Sequence, residues 1–409
     1  MTEQTPRRPR VTYVTMAAPR PARNGYCVRI QTIGQAMAQH ADVRFLVLSR
    51  DADPAGEVAT RERFAADFVS APDRSKLQKG AVHLRAALAN RNRWMEKYQR
   101  GPLLDAARAA LDAHRPDIVV LGSLSLYVLR ASFGLDDAQI VLDHHNVETV
   151  NYDRMARVRR WPGKLFPLVD ARAFARLERE AAAVDEHWAV SDDDRDILAR
   201  NIGRPVVTVP NVAQDWAFAV DPKGTRPDAA PVIGFMADYG YYPNVGAAFD
   251  LFRVVAHLKA QGVACEAVAM GRHPTEAMAE EAARVGVALP GFVDDPVALL
   301  ERFTVLVAPI RSGGGTKLKI IEALAMGIPV VTTPIGSEGI PVLAEDLGLV
   351  AESNEDLAAA VRTLLADRER LAAMSRRAKA WAERSVSTGV LVPLLGERIA
   401  ACMRRIAAT

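Results

Sequence analysis

Apolar residues in this chain recur in two alternating rhythms. Short, unbroken aliphatic runs are separated by longer stretches in which apolar positions return every three or four residues. These are the patterns of buried strands and of helices with one apolar face. In the first half the strand-like runs are Val11 to Met16, Val43 to Leu48, Ile118 to Leu121, Ile140 to Leu142, His187 to Val190 and Pro205 to Val209. The helix-like stretches are Val28 to Gln39, Ala81 to Tyr98, Leu103 to His114 and Asp170 to Val184. Strands alternating with helices predict parallel sheets in α/β layers.

Residues 211–231 break the rhythm. Asp215, Pro222, Gly224, Pro227 and Pro231 fall there with little periodicity, as in a linker. A second alternation follows through Val232 to Met236, Gly246 to Gln261, Ala264 to Met270, Glu276 to Val285, Phe303 to Pro309 and Val330 to Thr333. Two helical stretches, Arg368 to Arg384 and Val390 to Ile406, close the chain. With 409 residues there is room for two domains of ordinary size. The expected organisation is α/β: a doubly wound domain over 1–210, a linker over 211–231, a second doubly wound domain over 232–384 and a final helix over 385–409. In such sheets ligands bind beyond the carboxyl ends of the strands.

Composition narrows the class. A net charge of only +3 gives no sign of a nucleic-acid partner. Cys27, Cys265 and Cys402 lie far apart with no metal-ligand spacing and read as reduced thiols of a cytoplasmic protein. No apolar run is read as approaching the roughly 18–20 residues of a membrane span. The first ten residues, MTEQTPRRPR, read as a disordered basic tail. Arg154 to Lys164 (RMARVRRWPGK), beside Phe166, is the densest basic patch and is a candidate for peripheral membrane contact; Arg91 to Arg100 is similar in kind. A solvated charged surface accounts for both equally well.

The most informative stretch is Ala308 to Gly339, APIRSGGGTKLKIIEALAMGIPVVTTPIGSEG. A strand runs into Gly313, Gly314 and Gly315, then a helix expected from near Thr316, stopped by Gly327 and Pro329. Glycines let the backbone turn sharply and present N–H groups, and a helix start adds unpaired amides and the positive end of its dipole. That combination is an anion site, and Lys317 at the helix start fits an anion in front of it. Without a ligand the stretch would be a tight turn, with Lys319 and Glu322 an ordinary surface pair. The order Gly-Thr-Lys does not match a P-loop, and no GxGxxG marks a dinucleotide site.

This segment resembles the donor-binding motif of retaining glycosyltransferases of family 4, which have the GT-B fold: two Rossmann-like domains facing each other across a cleft. The resemblance implies that the second domain binds a nucleotide-sugar donor and the first takes the acceptor, with the final helix crossing back onto the first domain. The glycine loop, Thr316 and Lys317 would grip the diphosphate, and Glu322 the ribose hydroxyls. The family's usual first Glu is replaced here by Gly314. Many members carry Arg and Lys after the first strand of this domain; this chain has Asp238-Tyr239-Gly240-Tyr241-Tyr242-Pro243-Asn244. Tyr239 and Asn244 are then candidate hydrogen-bond donors, and Arg311 a candidate helper charge.

Asp143-His144-His145-Asn146 resembles the family's Asp-x-His-Asn run, which implies that His145 meets the donor sugar, with Asn146 beside it. A metal site at the two histidines beside Asp143 and Glu148 is disfavoured, because neighbours on an extended loop do not converge easily on one ion. Ser191-Asp192-Asp193-Asp194 reads as a capped helix start rather than a metal site. In the loop Ala17 to Tyr26, Asn24-Gly25 suggests a turn with positive φ; Gly25 is the candidate for close backbone approach on the acceptor side and Arg29 for a nearby charge. The implied activity is retaining, metal- and cofactor-independent sugar transfer to a glycan or lipid-linked hydroxyl. A sugar-nucleotide epimerase or hydrolase, and a non-catalytic nucleotide-sugar binder, are the alternatives.

Overall fold

A computed structural model describes residues 7–49, 53–70, 102–132, 137–158, 165–226, 228–340 and 343–408. The helix expected over Ala81 to Tyr98, the basic stretch 91–100 and positions 159–164 of the basic patch lie outside the described residues. The chain forms two compact units, residues 1–210 with 391–409, and residues 211–390.

In the first unit the strands are β1 (Arg10–Thr15), β2 (Asp42–Ser49), β3 (Ala65–Ser70), β4 (Ile118–Leu121), β5 (Gln139–Asp143), β6 (Glu186–Ala189) and β7 (Val207–Thr208). They form a parallel sheet in the order β3-β2-β1-β4-β5-β6-β7. In the second unit β8 (Val232–Asp238), β9 (Glu266–Arg272), β10 (Ala288–Gly291), β11 (Val305–Ala308), β12 (Val330–Thr332) and β13 (Gly348–Val350) form another, ordered β10-β9-β8-β11-β12-β13. Both orders reverse direction once, between β1 and β4 and between β8 and β11. Such a reversal leaves a crevice at the strands' carboxyl ends, because the flanking connections depart to opposite sides.

Two expectations are corrected. The supposed linker is part of the second core: Ala213, Ala217 and Val220 are at most 1 % exposed within it. Pro222 and Gly224 belong to a short helical turn, Lys223–Thr225, packed in place and not a free tether. The basic tail is tied down from residue 7 on, since Arg7 pairs with Asp117 at 2.7 Å and Arg8 donates to the carbonyl of Ala38 at 2.8 Å.

The final helix, Thr388–Ala408, follows a break after the helix Arg368–Ser385. Against the sequence reading, one 18-residue window within 368–408 reaches a mean hydropathy of 1.4, enough by length and composition to cross a membrane. Its apolar side is used inside the first unit, where Leu391, Leu395, Ile399 and Cys402 are buried. Arg398 and Arg405 both pair with Glu186 at the start of β6, and His40 bonds the carbonyl of Val392.

Candidate functional site

The second unit's reversal point brings together the end of β8 and the glycine loop after β11. Gly313 (φ 103°) and Gly315 (φ 63°) adopt backbone conformations that a side chain would strain. Turn geometry alone therefore accounts for two of the three glycines, more than the one a plain turn was expected to need. The helix begins at Leu318, two residues later than expected, with Lys317 as its N-cap and no side-chain cap bond. No acidic residue occupies its first turn. The positive end of this eight-residue helix is thus left for another anion.

Lys317 is nearly buried, with 9 % of its side chain exposed, and its amine donates to the carbonyl of Gly315 at 2.6 Å, 3.5 Å from Glu338. Glu322 stands one turn further on, its Oε1 accepting from Gln214 Nε2 at 3.2 Å. Burial pushes the Glu322 carboxyl up to about 7, against the pull of Gln214 and Lys319. Asn211 reaches the Thr316 carbonyl at 3.5 Å. The stretch read as a linker therefore supplies two side chains here, Asn211 and Gln214.

Two proposed donor contacts are placed elsewhere. Tyr239, directly after β8, is 3 % exposed in the core; its amide donates to the Arg272 carbonyl and its hydroxyl to the carbonyl of Met270. Arg311 is held by Asp250, the Glu352 carbonyl and the Asn354 side chain, so its guanidinium braces neighbouring loops. Asn244 is present at the site as a brace: its Nδ2 donates to the Asp238 carbonyl at 2.7 Å and its Oδ1 accepts from Lys319 at 2.6 Å.

Three residues at this end of the sheet were not singled out from sequence. Tyr241 is 47 % exposed, and its hydroxyl is 3.5 Å from where a Cβ on Gly313 would lie. His273, with φ 58°, bonds Asp238 Oδ1 at 2.9 Å. Lys319 lies over the Phe235 ring, 4.8 Å from its centroid. Only Lys319 gave a signal, the i,i+3 spacing to Glu322, and that reads equally as surface charge.

In the first unit, His145 follows β5. Its Nε2 lies 3.4 Å from Asp143 Oδ2, and Tyr26 stacks on its ring at 4.5 Å. Beneath it is a buried ion pair: Arg29 (2 % exposed) donates through Nε and Nη2 to Asp143 (0 %), and through Nη1 to the Val209 carbonyl at 2.9 Å. Tyr13 donates to the same carboxylate at 2.7 Å. Burial opposes ionisation of Asp143, but Arg29 and then His145 hold its carboxyl well below the usual range. Arg29 is thus not an accessible acceptor-side charge, as expected from sequence; it fixes the carboxylate that fixes His145. Burial outweighs Asp143 and lowers the pKa of His145, so its imidazole is neutral at pH 7.

Asn24-Gly25 is not a positive-φ turn. Asn24 caps the helix Gly25–Met37, accepting from the Cys27 amide at 3.0 Å, and Gly25 is the first helical residue, exposed at the surface. His144 is 1 % exposed and bonds His187 at 3.2 Å, its pKa lowered to about 3 by burial and then by His187. Asn146 is partly buried and bonds Glu148, whose carboxyl burial raises to about 7. In the sequence Glu148 figures only in the disfavoured metal reading, because one carboxylate after Asn-Val carries no pattern of its own.

Comparison with known proteins fits this geometry. Residues 230–367 match the family described as "Glycosyl transferases group 1", so the second unit carries a group 1 glycosyltransferase domain. A D-inositol 3-phosphate glycosyltransferase of Rhodococcus opacus (strain B4) is 33 % identical over 115 residues, a match covering 26 % of this chain and 26 % of that protein. Sucrose-phosphate synthase from Thermosynechococcus elongatus aligns over 98 % of this chain and 100 % of its own, with TM-score 0.69 and 15 % identity. HepE of Anabaena, solved in complex with UDP-glucose, aligns over 96 % and 99 %, with TM-score 0.69 and 14 % identity. WaaG, a glycosyltransferase involved in lipopolysaccharide biosynthesis, aligns over 96 % and 99 %, with TM-score 0.65 and 16 % identity. The fold is GT-B, built of two doubly wound Rossmann-like domains.

Proposed function

We propose that this chain is a retaining, metal-independent glycosyltransferase that moves a sugar from a nucleotide-diphosphate donor to a hydroxyl acceptor in polysaccharide or glycoconjugate assembly. The observation that carries the reading is the glycine loop opening an uncapped helix at the β8/β11 reversal, with Glu322 one turn along. As the anomeric bond breaks, charge grows on the leaving diphosphate. Fixed helix-end dipoles and a lysine stabilise that charge without reorganising, and by themselves supply what a metal would. HepE's complex with UDP-glucose supports a nucleotide-sugar donor. By the family resemblance, His145 orients the donor sugar and acceptor attack occurs on the face the leaving group departs from, which needs no nucleophilic carboxylate.

Glu322→Ala tests the donor site. Hydrogen bonds to a charged acceptor are worth about 1.5–3 kcal/mol, so nucleoside diphosphate should bind roughly 10- to 100-fold more weakly. Inorganic pyrophosphate, which has no ribose, should bind the variant as it binds the wild type. Equal loss for both ligands would remove Glu322 from the ribose.

A lipid-linked acceptor at an anionic cytoplasmic membrane face is the setting we favour. Leu165 (43 %), Phe166 (59 %) and Leu168 (39 %) are exposed at the start of the helix Leu165–Glu180. Between 154 and 179 the sequence has eight basic residues (Arg154, Arg157, Arg159, Arg160, Lys164, Arg172, Arg176 and Arg179). Asp170 and Glu178 within it are buried, while Asp153 and Glu180 at its two ends pair with Arg157 and Arg176. Exposed apolar side chains in a stretch of sequence rich in basic residues suit an anionic bilayer surface. Sedimentation with anionic vesicles should carry the protein down, and zwitterionic vesicles should not; equal behaviour with both would end this part of the reading.

A further inference from the structure

The donor site has a charge problem. A diphosphate needs cationic partners, yet residues 239–244 contain none. Arg311 is saturated by Asp250, the Glu352 carbonyl and Asn354. Lys317 is folded onto the Gly315 carbonyl beside Glu338. Lys319 is different. It is partly buried, lies over the Phe235 ring and donates to the neutral Asn244 side chain. Among the described residues no carboxylate forms an ion pair with it. An ammonium withdrawn from water with no carboxylate in ion-pair contact is unfavourable; Glu322 and Asp238 act on it only from beyond that contact, and an anion beside it would complete the pair.

We propose that Lys319 is the residue that grips the donor's diphosphate, while Lys317 holds the glycine loop in shape. The inference rests on reading this site as the donor site and goes beyond it by reassigning the cation. Lys319 lies in the first turn of the helix Leu318–Ala325, and Asn244, in the first turn of the helix after β8, orients its amine. The positive charge that the stretch after β8 lacks in sequence is supplied from the facing helix.

The electrostatics give a second signature. Burial, and then Lys317, lowers the pKa of Lys319 to about 7, against Glu322 on its own helix and Asp238 at the end of β8. Asp238 is shared with His273. A bound diphosphate favours the charged amine and raises that pKa. Affinity should therefore fall as pH rises above about 7, where the free protein has lost the proton that the complex retains.

The test measures affinity for whichever of UDP, GDP, ADP and dTDP binds the wild type best. Lys319→Met should weaken binding about 10- to 100-fold and Lys317→Met less, while Lys319→Arg should restore most of the affinity. Between pH 7.5 and 9 the wild type should lose affinity and Lys319→Arg should not, because arginine stays charged. The pH comparison holds even if Lys319→Met fails to fold. A flat wild-type pH profile, or a larger loss in Lys317→Met than in Lys319→Met, would overturn the assignment to Lys319 and leave the donor site standing. No binding of any of the four nucleotides by the wild type would overturn both.

Discussion

Arg29→Met should destabilise the first unit by about 3–5 kcal/mol, the cost of leaving a buried carboxylate without its partner. Asp143 is fully buried, and burial alone would raise its pKa; Arg29 is the main force that keeps it ionised. Removing the guanidinium forces Asp143 to hold an unpaired charge or to take up a proton. If it takes up a proton, the hydrogen bond from Tyr13 and the contact with His145 also lose their charged acceptor. The loss should appear in hydrogen exchange as reduced protection of the β1 and β5 amides, with β8 to β13 unaffected. Replacing the whole group by apolar residues (Arg29→Met, Asp143→Leu and Tyr13→Phe together) should recover most of the stability, since no charge is then stranded. If Arg29→Met alone left protection unchanged, the pair would not be the anchor its burial implies.

His145→Ala should lower turnover about a hundredfold while leaving donor affinity near wild type. The expected size is that of misplacing a bound substrate by about 1 Å. The ring is held by the Asp143 carboxylate and by the Tyr26 stack. Its lowered pKa keeps it neutral at pH 7, so it can hydrogen-bond a sugar without bringing a charge. His145→Asn should recover part of the rate, because an amide restores a hydrogen-bonding edge. In the apolar triple variant above, turnover should stay low after stability returns, since His145 has lost its carboxylate. Unchanged turnover in His145→Ala would remove the residue from the mechanism, and a parallel loss of donor affinity would make it a binding group instead.

The fold was readable because parallel strands buried on both faces are nearly continuous apolar runs. Ile118 to Leu121 (IVVL) is a strand by pattern and a strand in fact. The strands that escaped notice, β3, β10 and β13, lie at the edges of their sheets, where one side meets no partner and the sequence relaxes. β3 reads AADFVS with both ends exposed, and nothing in it signals a strand. The helix Asn354–Ala366 escaped for another reason: AAA and TLLA blur the apolar face on which the pattern depends.

The candidate site was legible wherever chemistry is local in sequence. A glycine loop, a helix start and a Glu one turn later form one short word. It was illegible wherever a side chain's task depends on what lies across the fold. Arg29 and Asp143 are 114 residues apart, and no pattern in either segment announces a buried pair. Arg311 looks available in sequence and is consumed by Asp250 and Asn354, 61 and 43 positions away. Lys319 looks like surface charge until Asn244, 75 positions back, is seen to hold it inward. The usual donor contacts of the resembled family also vary at positions 314 and 239–244, so the motif locates the anion site without saying which side chains serve it.

The most direct test of the account is a calorimetric titration of the purified protein with UDP-, GDP-, ADP- and dTDP-sugars in the presence of EDTA. One of these donors should bind at a single site per chain without metal, and its nucleoside diphosphate should compete. Absence of binding by all four, with and without added acceptor glycans, would contradict it and reduce the glycine loop to a turn.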